Sequence, residues 1–153
     1  MDRDAVSVVT LEPQLMAAVR RHVRFAELPS QIRGFYDLIY AAVPTGRFTK
    51  TGRNVALYRN IRNGAADAEF GVPVAARFAD FDEIECREIP GGEYASTTHW
   101  GAYADLGRAY DRLFAWIPAN GRREAGVHWE YYGNWNDDIT KVRTDLYILL
   151  RPR

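Results

Sequence analysis

Residues 106–118 read LGRAYDRLFAWIP, and residues 32–44 read IRGFYDLIYAAVP, the same pattern 74 positions earlier. In both stretches large apolar side chains recur every three or four residues, which is the spacing of one helix face. Both contain a tyrosine–aspartate pair, at residues 36–37 and 110–111, and both end at a proline, which stops a helix. The sequence therefore predicts two equivalent amphipathic helices and an internal duplication.

Short apolar segments surround each helix in the same order. Runs that are bounded by proline, glycine and asparagine predict β-strands. Each half then reads strand–helix–strand–strand, with a polar connector at residues 60–68. We expect a single α+β domain over residues 1–153, with repeat one at about residues 5–78 and repeat two at about residues 82–151. The predicted strands are residues 6–11, 16–25, 55–58, 70–77, 84–89, 94–99, 127–132 and 145–150.

The composition is that of a globular protein. Lys+Arg and Asp+Glu number 20 each in 153 residues, so the formal net charge is zero. A nucleic-acid-binding protein would normally carry a basic excess to meet the phosphates, so we expect no direct nucleic-acid partner. Aromatic residues make up 13% of the chain, with nine Tyr and four Trp. That is more than a small core needs, so we expect some rings to line a site.

Cysteine and histidine limit the chemistry that the chain can carry. Cys86 is the only cysteine, which excludes an internal disulfide and a multi-cysteine zinc site. His22, His99 and His128 follow no metal-binding spacing, so we expect neither a metal nor another cofactor. The sequence shows no signal-peptide core and no apolar run of membrane length. We therefore expect a cytoplasmic protein without a membrane partner.

The predicted strands divide into two faces by residue parity. We expect one face to pack against the helices, with these apolar side chains: Val55, Leu57, Val72, Val74, Trp129, Tyr131, Leu146 and Ile148. The other parity carries tyrosines around a carboxylate: Ala56, Tyr58, His128, Glu130, Tyr132 and Tyr147. A glutamate in mid-strand costs free energy to bury unless it is paired or used. Alternatively, Glu130 has only a structural role and forms an ion pair with an arginine such as Arg143.

Motifs in the second half carry a resemblance to a known family. The motifs run, in order, Glu88-Ile-Pro-Gly-Gly-Glu-Tyr-Ala95, His99-Trp-Gly-Ala-Tyr103, Tyr110-Asp-Arg-Leu-Phe-Ala-Trp-Ile117, Trp129-Glu-Tyr-Tyr132 with Asn134, and Thr144-Asp-Leu-Tyr-Ile148. This ordered set resembles the GyrI-like small-molecule-binding domain, also called the AraC-type effector-binding domain. The resemblance covers essentially the whole chain and is weaker in the first half.

The resemblance implies a pseudo-twofold α+β domain with antiparallel sheets, helices on one side, and a groove between the halves. Such grooves bind hydrophobic, often cationic, small molecules. The family's buried glutamate matches Glu130, and its last-strand tyrosine matches Tyr147. We expect the remaining walls and rim of the groove to come from aromatic residues, namely Tyr132, Tyr58, Trp100 and Trp135.

Family members occur as drug-sensing regulators fused to DNA-binding domains, or stand alone. No segment here resembles a helix-turn-helix, so we expect a stand-alone binding domain, either a monomer or a weak homodimer. One alternative is a hydrolase of reactive, cyclopropane-type xenobiotics, in which Glu130 activates water and Tyr147 orients it. A second alternative is a protein-interaction or inhibitor module, in which the repeat only builds a stable surface.

Overall fold

The computed structural model describes residues 5–153, which form eight β-strands and two α-helices. The strands are β1 (Ser7–Leu11), β2 (Gln14–Arg24), β3 (Val55–Arg62), β4 (Ala65–Pro73), β5 (Glu85–Ile89), β6 (Gly92–Trp100), β7 (Glu124–Tyr132) and β8 (Arg143–Leu150). The helices are α1 (Leu28–Ala42) and α2 (Leu106–Ala119). All strand pairs within the two units described below are antiparallel, so the predicted α+β class is confirmed. None of the helices in residues 5–153 is long and apolar enough to cross a membrane.

The chain divides into two compact units. The N-unit is Pro13–Pro90, and the C-unit is Gly91–Arg153 together with the residues before Pro13. Strands in the N-unit lie in the order β3-β4-β2-β5, and those in the C-unit lie in the order β7-β8-β6-β1. In each unit the chain runs from the third strand of this order into the helix, and from the helix into the first strand: β2–α1–β3 in the N-unit and β6–α2–β7 in the C-unit. The equivalence agrees with the predicted duplication, whose repeat boundaries stay a prediction, as does the predicted groove.

In the N-unit, α1 packs through Tyr36 and Ile39 on one face of the sheet. Proline in the first turn of α1 suits a helix start, because its missing N–H would have no partner there. The ring of Phe70 on β4 lies 5.0 Å from Phe35 and 6.0 Å from Tyr36, centroid to centroid. Phe70 and Ile39 are fully buried, so this aromatic contact joins the helix to the sheet.

In the C-unit, α2 buries an apolar stripe against β6 and β8. The core residues are Ala95, Ala109, Leu113, Ile117, Leu146, Ile148 and Leu150. Pro118 lies in the last turn, and the helix ends where the Asn120 N–H bonds back to the Ile117 carbonyl. The helix therefore covers the β8 face that carries Leu146 and Ile148.

Cross-strand register corrects the predicted faces. Val55 lies opposite Gly71, and Glu130 lies opposite Leu146. Directly opposed residues in an antiparallel pair share a face, so Glu130 faces α2 together with Leu146. The prediction that Trp129 and Tyr131 share the helix face with Leu146 is therefore wrong. The prediction that Val55 and Leu57 share the helix face with Val72 is also wrong, because Ala56, not Val55, lies opposite Phe70.

The predicted connector at residues 60–68 is also wrong, because β3 and β4 form a tight hairpin through it. Asn63 and Gly64 take positive φ values of 52° and 73°, which suit the two central residues of a type I′ turn. A β-bulge lies between Arg59 and Arg62, where Asn60 has a φ of 52°. One extra residue in a strand exchanges its two faces beyond that point, which is why simple alternation put Val55 and Leu57 on the face of Val72.

Candidate functional site

Glu130 is a buried carboxylate on β7, and only 6% of its surface is exposed. Its Oε2 accepts a hydrogen bond of 2.5 Å from the Tyr110 hydroxyl on α2. Its Oε1 accepts a hydrogen bond from the Tyr132 hydroxyl, two residues further along β7. One phenol from the helix and one from the strand therefore satisfy both carboxylate oxygens.

No positively charged side chain within residues 5–153 forms an ion pair with Glu130. Arg143, the arginine considered as its partner, instead pairs with Asp145 at 2.9 Å. Burial raises the pKa of the Glu130 carboxyl above its usual range, and the bonds from Tyr110 and Tyr132 offset part of that increase. The site therefore holds a carboxyl group that is solvated by phenols and lacks a counter-ion.

Aromatic rings line the surface where α2 and β7 meet. Tyr103 meets Tyr132 edge-on at 5.6 Å, and Tyr110 stacks on Phe114 at 6.0 Å. The imidazole of His128 lies 6.2 Å from Tyr110 and 5.6 Å from Phe114, centroid to centroid. We call this surface the α2–β7 face and define it by six residues: Tyr103, Tyr110, Phe114, His128, Glu130 and Tyr132.

Two of these rings are open to solvent. Tyr103 is 44% exposed and Phe114 is 43% exposed, so an incoming molecule can reach aromatic surface on either side of the buried carboxyl. Thr144, which lies opposite Tyr132, is fully buried, and its Oγ1 has no hydrogen-bond partner among residues 5–153. Buried hydroxyls in proteins are normally satisfied by protein, water or ligand. The α2–β7 face thus combines apolar contact area with a few polar groups.

Tyr147 does not lie on this face, which corrects the expectation that it shares a surface with Glu130. It lies opposite Trp129, and the two rings stack at 4.1 Å with an angle of 19°. Tyr94 meets Tyr147 edge-on at 6.0 Å. Tyr147 therefore belongs to an aromatic cluster on the other side of the C-unit sheet. The predicted mechanism in which Tyr147 orients water for Glu130 loses its geometric basis.

The remaining predicted ligand residues are dispersed, apart from Tyr132. Trp100 lies opposite Arg143 at the end of β6, with the guanidinium 5.6 Å from its ring centroid, on the Tyr147 side of the sheet. Trp135 lies in the loop after β7 and is 63% exposed, and its indole N–H donates to Asp137 at 3.3 Å. Tyr58 is buried in the N-unit, where its ring contacts Phe25 and Phe70.

Tyr110 was not among the predicted site residues, because its position in the helical spacing is typical of a core residue. The repeat itself held a signal, because it aligns Tyr110 with Tyr36 and Tyr132 with Tyr58. In the N-unit the Tyr36 hydroxyl donates to the Val55 carbonyl at 2.7 Å. The position aligned with Glu130 is Ala56, so the N-unit keeps both phenols and lacks the carboxylate.

A second buried carboxylate was missed entirely. Glu69 on β4 is 3% exposed and is held by Arg87 at 2.9 Å and by Arg59 at 3.2 Å. Two guanidiniums neutralise it, so it has the environment of a structural ion pair. Glu130 and Glu69 are equally buried, but only Glu130 lacks a cation. No group of three or more His, Cys, Asp or Glu side chains within residues 5–153 is arranged to hold a metal ion.

The sequence matches one family over almost its whole length. The profile of the GyrI-like small molecule binding domain covers residues 4–151. The chain belongs to the GyrI-like family. A search of curated proteins found no match to this GyrI-like chain.

Solved structures share the GyrI-like fold. The EcmrR C-terminal domain matches with a TM-score of 0.83 and 19% identity, over 97% of this chain and 98% of that one. EcmrR in its DNA complex matches with a TM-score of 0.81 and 20% identity over 97% of this chain, which spans only 58% of that chain. SAV2435 bound to tetraphenylphosphonium matches with a TM-score of 0.69 and 12% identity, over 96% of this chain and 94% of that one. At these identities the likeness concerns the fold.

Proposed function

We propose that this GyrI-like domain binds hydrophobic organic cations on the α2–β7 face, with Glu130 as the group that receives the positive charge. The observation that carries the proposal is the carboxyl of Glu130, buried among exposed and half-buried rings with hydroxyl donors but no cation. A carboxylate in such surroundings is costly to ionise without a partner of opposite charge. A bound cation would supply that partner.

The aromatic rings would add to the attraction. A cation over the face of a tyrosine or phenylalanine gains electrostatic energy, and more of it when water is excluded. Tyr103 and Phe114 offer exposed ring surface beside the carboxyl, so a ligand with apolar arms would bury area there. The fold neighbour SAV2435 was solved with tetraphenylphosphonium, a cation surrounded by phenyl rings, which supports the choice of ligand class.

A titration with tetraphenylphosphonium tests the proposal. Tryptophan fluorescence or calorimetry should show saturable binding to the unmodified chain at neutral pH. Glu130→Gln keeps the shape of the side chain and removes its charge, so affinity should fall about tenfold or more. Glu88→Gln removes one charge from an exposed carboxylate that pairs with Arg77, and it should leave the affinity unchanged. Equal loss in both variants, or no binding to the unmodified chain, would contradict the proposal.

The raised pKa of Glu130 favours one second candidate, hydrolysis of a reactive cyclopropane-type electrophile. Glu130, once ionised, would take a proton from water as the water oxygen bonds to the ring carbon. The electron pair of the broken carbon–carbon bond would pass to a conjugated carbonyl of the substrate, which then takes up a proton. Tyr110 and Tyr132, which both contact Glu130, replace Tyr147 as the orienting groups. Turnover that survives Glu130→Gln would exclude this candidate.

A further inference from the structure

The α2–β7 face runs into a shallow, open depression at the carboxyl end of α2, which we call the cavity. The cavity has a volume of about 390 Å³ and contains residues from α2, from the start of β7 and from the C-terminal segment. Its lining is Phe114, Ile117, Pro118, Arg122, Arg123, Glu124 and Arg151. Three arginines and one glutamate contribute to this lining, beside an apolar wall.

The arginines differ in how far their charge is satisfied. Arg122 is buried and pairs with Glu93 at 2.7 Å, while its Nε has no hydrogen-bond partner among residues 5–153. The Nε of Arg151 donates to the main-chain carbonyl of Glu124 at 3.0 Å, which holds the side chain against the cavity. Within the described part of the chain, neither Arg123 nor Arg151 forms an ion pair with a carboxylate. The cavity therefore contains two arginines, Arg123 and Arg151, that no carboxylate among residues 5–153 pairs with.

Among residues 5–153 the lining contains one acidic side chain, Glu124, and one of its two oxygens has a partner. Glu124 Oε1 lies 3.0 Å from the Nε2 of His128, on the α2–β7 face. The carbonyls at the end of α2 are also occupied, because Ile117 accepts from the Arg122 N–H at 3.0 Å and Trp116 accepts from Asn120. The negative pole of the helix is therefore largely covered by its own N–H groups. A ligand in the cavity would therefore meet the guanidiniums of Arg123 and Arg151 together with the one carboxylate of Glu124.

Phe114 joins the cavity to Glu130. Its ring lines the cavity and also stacks on Tyr110, which donates to the carboxyl. Leu146 lies opposite Glu130, and Arg151 follows Leu146 by five residues, a separation of roughly 17 Å at about 3.3 Å per residue of extended strand. The two charged ends of this surface are thus far enough apart for an alkyl chain to lie between them.

We propose that the α2–β7 face and the cavity together bind a bipolar ligand, with a cation at Glu130, an apolar middle on Phe114, and a carboxylate or similar anion at Arg123 and Arg151. The inference rests on the proposed cation site and deepens it by naming the substrate class. Guanidinium suits this task because its planar set of N–H donors matches a carboxylate in two parallel hydrogen bonds.

A pair of probes separates the two ends. The first is a triphenylphosphonium cation with a ten-carbon chain that ends in a free carboxylate, and the second is its methyl ester. Both carry the same cation and almost the same apolar area, and they differ in the terminal charge. The free acid should bind roughly tenfold more tightly than the ester, which is the size of one charge-assisted contact at a partly exposed site.

Substitutions then assign the preference to the cavity. The double variant Arg123→Gln with Arg151→Gln should bind acid and ester equally, at the affinity that the unmodified chain shows for the ester. Both side chains are exposed, so the fold should tolerate the change. Arg77→Gln removes an exposed arginine from the N-unit and should keep the full preference for the acid. Glu130→Gln should weaken acid and ester by the same factor.

The outcomes distinguish this inference from the proposed function. Equal affinity for acid and ester in the unmodified chain would overturn the bipolar ligand and leave the cation site standing. A preference for the acid that survives the double variant would place the anion elsewhere and would also overturn it. Failure of both probes to bind would contradict the cation site itself.

Discussion

At the scale of single residues, two buried glutamates differ in the side chains that surround their carboxylates. This difference distinguishes a structural carboxylate, Glu69, from the candidate functional one, Glu130. Glu69 is surrounded by the guanidiniums of Arg59 and Arg87, and Glu130 is surrounded by the phenols of Tyr110 and Tyr132. Hydroxyl donors stabilise a carboxylate less than a full opposite charge does, so Glu130 remains dominated by desolvation. It is the carboxyl whose charge a ligand can change.

The first prediction concerns stability against pH. Because the pKa of Glu130 is raised in the folded state, its protonated form stabilises the fold below the ordinary carboxyl pKa. That contribution is lost as the pH rises through the raised value. The melting temperature of the unmodified chain relative to Glu130→Gln should therefore fall as the pH rises above the ordinary carboxyl pKa of about 4. A difference that stays constant with pH would contradict the raised pKa.

The second prediction concerns the phenol donors. Tyr110→Phe removes a hydrogen bond to the ionised carboxylate, so the pKa of Glu130 should rise further. Cation binding, which needs the ionised form, should then reach half of its maximum at higher pH than in the unmodified chain. Tyr36→Phe removes the aligned hydroxyl of the N-unit and should leave the pH profile unchanged. Titrations with tetraphenylphosphonium across the pH range measure both variants.

At the scale of elements, helical periodicity is strong enough to predict α1 and α2, since each shows about four turns of one apolar face. Strand existence was also predictable, and the Asn63-Gly64 pair is a hairpin signal that would have joined β3 to β4. The face of the sheet on which each residue lies was harder to predict. Which residues of neighbouring strands share a face depends on the register between those strands. The bulge between Arg59 and Arg62 and the long loop from Gly133 to Val142 set that register, and no local pattern reveals either one.

For the same reason the candidate site could be predicted only in part. Glu130 and Tyr132 lie two residues apart on one strand, so they share a face whatever the register. Tyr147 lies on the neighbouring strand, and its face depends on a register that the sequence did not reveal. Tyr110 reaches Glu130 from a helix, and helical spacing alone assigns a large side chain in that position to the core.

The third prediction tests which face of the sheet is used. Tyr147→Phe alters the hydroxyl in the aromatic cluster with Trp129, on the side away from Glu130, and should leave cation affinity within about twofold. Tyr132→Phe removes a donor to the carboxylate and should change both the affinity and its pH dependence. If Tyr147→Phe weakens binding as much as Tyr132→Phe does, the ligand occupies the opposite face.

At the scale of the whole molecule, the two units share a strand order and differ in chemistry. Each unit carries a helix tyrosine and a strand tyrosine at aligned positions, and the C-unit alone adds Glu130 where the N-unit has Ala56. The same topology therefore supports an apolar core in one unit and a charged, aromatic surface in the other. Zero net charge and membership of the GyrI-like family agree with a domain that recognises small molecules.

The fourth prediction follows from this asymmetry. Because residues 5–153 contain one uncompensated buried carboxyl, calorimetry with tetraphenylphosphonium should give one binding site per chain. The structural carboxylate Glu69 is already neutralised and should not add a second site. A stoichiometry of two would show that the N-unit also binds the cation, and it would contradict the role assigned to Glu130.

The titration of the Glu130 carboxyl itself tests the central claim most directly. Carbon NMR of the labelled side chain, assigned by its loss in Glu130→Gln, reports the pKa of this one group. The account predicts a pKa above the usual carboxyl range in the free chain and a fall in that pKa when tetraphenylphosphonium saturates the site. An ordinary pKa that does not move when the cation binds would contradict the claim that Glu130 receives its charge.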